Sequence, residues 1–127
     1  MSELKIRAEE LPLPLNNYAY LLINKKSPYY EIIQYLKREM EFRYKKAGKP
    51  EIIYGISPRR LAKEIELMVQ EKKKITTYSI CRTILAACYL CKLKEGEDFW
   101  ITTTAGGKKN YHFKVNQKTL GSFAKIL

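Results

Sequence analysis

One α+β domain is the fold this sequence predicts, and three observations carry the prediction. Apolar residues recur at helical spacing in successive segments between Ser27 and Leu93. A short β-branched run, Ile52-Ile53-Tyr54-Gly55-Ile56, interrupts those segments, and two alternating stretches flank Ala105-Gly106-Gly107. At 127 residues, 46% of them hydrophobic, the chain can bury a single core and is neither disordered nor long enough for two cores.

The elements follow in order. Residues 1–26 read as an arm and a short apolar segment. Leu11-Pro12-Leu13-Pro14-Leu15 cannot be helical through its prolines, because each Pro disfavours α geometry in the residue before it, so residues 1–15 are expected to be extended. Tyr18 to Ile23 fits either a strand or a buried helical turn. Ser27-Pro28 starts a long helix, with a capping hydroxyl followed by Pro at the first helical position. Its apolar stripe is Tyr29, Ile32, Ile33, Leu36, Met40 and Tyr44, and Gly48 with Pro50 stops it. The run Ile52–Ile56 reads as a strand. Ser57-Pro58 repeats the helix start, with Leu61, Ala62, Ile65, Met68 and Val69 facing inward before a basic turn at Glu71-Lys72-Lys73-Lys74. Thr76 or Thr77 caps a third helix over Tyr78–Leu93, which Glu95-Gly96 ends. Phe99–Thr104 and Lys108–Val115 form a hairpin about the glycine tip, with Tyr111, Phe113 and Val115 on its buried face and Trp100 anchoring it to the helices. Residues 116–127 form an amphipathic helix with Leu120, Phe123, Ala124 and Leu127 on one side.

Charge narrows the class of partner. The formal net charge is +11, and the segment from Ser57 to Leu127 holds fourteen Lys and Arg against six Asp and Glu. Such an excess attracts polyanions. No segment is long and apolar enough to span a bilayer, and Met1-Ser2-Glu3-Leu4-Lys5 lacks the charged head and apolar run of a signal peptide, so a cytoplasmic protein is expected. The wealth of Lys, Ile and Tyr is a compositional hint of a thermophile.

Helix, strand, helix, turn, helix, hairpin over residues 27–115 resembles the winged helix-turn-helix superfamily of DNA-binding proteins, on element order, lengths and charge placement. The resemblance implies that the third helix enters a major groove with Tyr78, Ser79, Arg82 and Thr83 nearest the bases, Arg82 being suited to a guanine edge. It implies phosphate contacts from the wing residues Lys108, Lys109 and Asn110 and from Arg59 and Arg60 at the second helix start, with Lys72, Lys73 and Lys74 completing a basic stripe. The expected function is non-catalytic binding of DNA by a transcriptional regulator or chromatin-like factor; RNA is an equal match to the charge. The third helix is apolar on nearly every face from Ile84 to Cys91, so only its first turns are expected to be free, and a winged helix docking onto proteins of a replication or transcription assembly is the rival reading. The arm and the C-terminal stripe offer surfaces for a homodimer.

Other chemistry is disfavoured by spacing. Cys81, Cys88, Cys91 and His112 invite a zinc site, but Cys81 and Cys88 stand seven residues apart on one helix, about 10.5 Å along its axis, too far to share one ion. The cysteines are expected to behave as buried small hydrophobes. His112 has no evident acid, base or nucleophile partner, and Gly106-Gly107-Lys108 lacks the rest of a phosphate-loop sequence. No cofactor, metal, small-molecule substrate or membrane partner is expected.

Overall fold

The computed structural model of the chain describes residues 3–66 and 75–127. The elements are α1 (Glu3–Glu10), α2 (Leu15–Ile23), α3 (Pro28–Ala47), β1 (Ile52–Ile56), α4 (Pro58–Glu66), α5 (Thr77–Leu90), β2 (Phe99–Thr103), β3 (Lys109–Val115) and α6 (Gln117–Ile126). The molecule is α+β, with helices packed on one face of an antiparallel sheet of strand order β1-β3-β2.

The N-terminal region departs from its expectation. Of the expected extended arm, residues 3–15 are described and are not extended: α1 and α2 are helices, and the prolines sit in the connection between them, where a missing N–H breaks no helical bond. Leu15, Ala19 and Leu22 of α2 are buried against α5, as is Ala8 of α1, and Arg7 Nη1 donates to the Leu90 carbonyl at 2.8 Å, covering the negative end of α5. Tyr18–Ile23 is therefore helix and not strand.

The remaining local signals are met where they are described, except at the end of α5, which stops at Leu90 with Lys92 at φ 58° and does not run to Leu93 and the Glu95-Gly96 stop. Ser27 Oγ accepts from Tyr29 N–H at 3.1 Å to start α3, and Gly48 at φ +62° ends it in the left-handed conformation that glycine adopts without strain. Ile32, Ile33, Leu36 and Met40 form its buried stripe. Thr76 Oγ1 accepts from Ser79 N–H at 3.1 Å and opens α5. Leu61 and Ala62 bury the inner face of α4; the expected core positions Met68 and Val69 lie outside the described residues.

α5 is the central helix. Ile80, Ile84, Ala86, Ala87, Cys88 and Leu90 are buried, and α1, α2, α3, α4 and α6 surround it. Below the helices, Phe99, Phe113 and Tyr111 point inward; Phe113 lies 6.3 Å from Phe99 and 6.0 Å edge-on from Phe123 of α6. Phe99, and not Trp100, anchors the hairpin. Trp100 takes the opposite parity, half-exposed on the outer sheet face with Lys114 Nζ 5.9 Å from its ring.

The C-terminal stripe is consumed inside the molecule. Asn116 Oδ1 accepts from Thr119 N–H at 2.9 Å, and α6 lays Phe123 and Ile126 against α3, α5 and β3, with Ala124 exposed. Tyr30 Oη donates to the Leu127 carbonyl at 3.1 Å. The stripes of α2 and α6 thus pack within the molecule, whereas Ile6 of α1, Leu13 of the connection and Leu21 of α2 stay exposed.

Candidate nucleic-acid interface

Two helix starts and the hairpin tip converge. The starts are set locally, by Ser57-Pro58 before α4 and by the Thr76 cap before α5. The tip is a tight turn in which Thr104 N–H donates to the Lys108 carbonyl at 2.8 Å and Gly107, at φ +80°, donates back to the Thr104 carbonyl at 2.9 Å. A side chain at that φ is strained, which explains the glycine and fixes Lys108 and Lys109 just beyond it. Between the three lies a cleft of about 450 Å³ lined by Ser57, Arg59, Thr77, Tyr78, Cys81, Arg82, Gly107, Lys108 and Lys109.

The cleft has a cationic rim and a partly apolar floor. Arg59, Arg82, Lys108 and Lys109 come from α4, α5 and the wing, and no carboxylate stands among the described lining residues. Among the described residues none of the four forms an ion pair. The positive ends of the α4 and α5 dipoles add to the same potential. Tyr78 is 57% exposed, and the Arg82 guanidinium lies 5.3 Å from its ring centre, so ring and cation form one platform. Arg82 Nε is shielded from solvent and donates to nothing among the described residues. Cys81 forms part of the floor, its carbonyl accepting from Tyr111 Oη at 3.3 Å; burial pushes its thiol pKa up and keeps it neutral.

Of the residues expected to touch nucleic acid, Arg59, Tyr78, Arg82, Lys108 and Lys109 meet in this cleft. Thr83 does not. It is fully buried, and its Oγ1 donates to the Ser79 carbonyl at 2.7 Å, so it cannot reach a base. Ser79 is half-buried and bound into the α5 cap through a 2.9 Å contact with Thr76 Oγ1. Arg60 turns away from Arg59, lies 3.4 Å from Glu64 Oε1, and with Asn110 borders a different groove beside β1. Lys72, Lys73 and Lys74 lie outside the described residues. Thr77 and Cys81 are lining residues that charge and motif reasoning passed over. Their spacing with Tyr78 and Arg82 puts all four on one helical face, a signal present in the sequence.

The cysteines and His112 occupy separate places. Cys88 is buried in the core and its thiol pKa is raised well above the ordinary value by burial; burial also pushes Cys91 up to about 12. His112 stands on the outer sheet face, its Nε2 3.0 Å from Thr102 Oγ1. Compared with known proteins, the chain matches no family model, no curated protein and no solved structure.

Proposed function

We propose that this chain is a non-catalytic nucleic-acid-binding protein that grips double-stranded DNA. In this reading α3, β1, α4, α5 and the β2–β3 hairpin act as a winged helix-turn-helix. The observation that carries it is the meeting of Arg59, Arg82, Lys108 and Lys109, far apart in sequence, around one cleft whose described lining is free of carboxylates. Dispersal of these residues, with an open apolar patch on α5, would favour a protein-docking subunit instead; beyond its first turns α5 is buried except at Tyr89, which is exposed, and Leu85, which is half-buried.

Recognition is dominated by phosphate. Thr83 is buried and Ser79 is occupied by the cap, leaving Thr77, Tyr78, Cys81 and Arg82 as the α5 side chains in the cleft, of which Arg82 alone can donate two parallel hydrogen bonds to a base. That supply suits a sequence-tolerant, chromatin-like factor better than a regulator reading several base pairs. Competition tests the reading. A labelled random duplex bound by the protein is challenged with unlabelled duplex DNA, single-stranded DNA and duplex RNA. Preferential displacement by duplex DNA is expected, and preferential displacement by RNA or single strands would overturn the choice of partner.

A further inference from the structure

A second surface lies along β1. In β3, Lys114 N–H donates to the Asp98 carbonyl at 2.9 Å and so points toward β2; by strand alternation Val115, Phe113 and Tyr111 point their amides toward β1. Their partners Ile52, Tyr54 and Ile56 therefore face β3, whereas Ile53 and Gly55 turn their N–H and C=O groups to the outer edge. Among the described residues no hydrogen bond satisfies those four groups. A groove of about 590 Å³ runs beside that edge, walled by α3 and α4. The strand carries neither charge nor Pro, the usual protections of an open edge.

We infer that β1 is a self-association edge, on which a second copy of this chain adds its own β1 antiparallel about a two-fold axis at Tyr54. Three features select that occupant. Pairing Ile53 with the partner's Gly55, and Gly55 with the partner's Ile53, uses every free edge group of those residues in four hydrogen bonds. The same register places Ile53, which is 59% exposed, opposite a glycine, so an unburied apolar side chain meets a position with none. The groove rim is also electrically balanced: Glu39 and Glu64 offset Arg43 and Arg60, with Arg60 already 3.4 Å from Glu64 and Arg43 over the Tyr54 ring at 5.7 Å. In a chain of net charge +11, a neutral rim is where two copies meet least repulsion and where a polyanion is least attracted. The inference does not rest on the proposed DNA binding.

Sedimentation velocity and amide hydrogen exchange, both without nucleic acid, test it. The dimer is expected to be populated at about 100 µM and to strengthen as salt screens the repulsion between two cationic copies. The amides of Ile53 and Gly55 gain protection as concentration rises. Ile53→Pro removes two of the four donors while keeping every bond to β3, since an edge strand tolerates Pro where its N–H faces outward. It is expected to weaken association by at least about tenfold. Ile53→Lys, at an exposed position, gives the same loss without altering the backbone, and circular dichroism confirms that both variants fold. A monomer throughout the concentration range, or a dimer that survives both substitutions with Ile53 and Gly55 unprotected, would overturn the inference.

Discussion

Adjacent arginines make the sharpest contrast at the scale of single residues. Arg59 borders the cationic cleft, whereas Arg60 is turned toward Glu64 and the β1 groove. A phosphate contact adds roughly one unit to the salt slope of binding. Arg59→Ala is therefore expected to weaken duplex DNA binding and flatten the slope by about one. Arg60→Ala should leave both unchanged, and fluorescence anisotropy at several salt concentrations measures the difference. The thiols give a second prediction. With Cys91 raised to about 12, its thiolate fraction at pH 8 falls more than about a thousandfold below that of a free cysteine, and burial suppresses Cys88 in the same direction. Iodoacetamide should alkylate Cys81 first in the folded protein, and all three cysteines only after denaturation, as read by mass spectrometry. Side-chain chemistry located Arg59, Tyr78, Arg82, Lys108 and Lys109 in the sequence. It could not separate Arg59 from Arg60, or Ser79 and Thr83 from Tyr78, because a rotation of about 100° per residue along a helix decides which neighbour faces the cleft.

Caps and stripes made α3, α5, the hairpin and α6 legible at the scale of elements. Asn116→Ala removes the acceptor for Thr119 N–H and should cost about 1 kcal/mol of stability in urea unfolding. The N-terminal helices were hidden by their prolines. Leu4, Ala8 and Leu11 recur at helical spacing, as do Leu15, Ala19 and Leu22, but two prolines between the stripes read locally as an extended tract. A proline forbids helix through its own position and says nothing of the segments on either side. Leu15→Ala distinguishes the two descriptions. Leu15 is buried, so its truncation should cost about 2–5 kcal/mol in urea unfolding, whereas the same change in an extended arm would cost almost nothing. Trp100 illustrates the complementary limit: a strand's parity follows from its register, and alternation at Tyr111, Phe113 and Val115 leaves Phe99 and Trp100 interchangeable until the pairing Phe99 with Phe113 is known.

The charge of the whole molecule sorts its surfaces. Under the proposed function a net charge of +11 favours polyanionic partners in general, and the four cations of the cleft are where the proposal places the contact. Among the described residues no helix is long and apolar enough to cross a membrane. The N-terminal helices and α6 contribute buried residues to the core, because α5 is apolar nearly all round and needs α1, α2 and α6 to cover it. That requirement could be foreseen from α5 alone; which segments would meet it could not, since helix packing depends on contacts distant in sequence. Arg59, Arg82, Lys108 and Lys109 are proposed to bind the DNA backbone. That contact is tested most directly by titrating the protein into labelled random duplex DNA at several salt concentrations beside Lys108→Glu/Lys109→Glu. Four phosphate contacts predict a slope of about −3.6 and a loss of roughly a hundredfold in affinity between 50 and 200 mM salt, with the slope falling to about half in the double variant. Binding that ignores salt, or a double variant that binds as tightly as the parent, would contradict it.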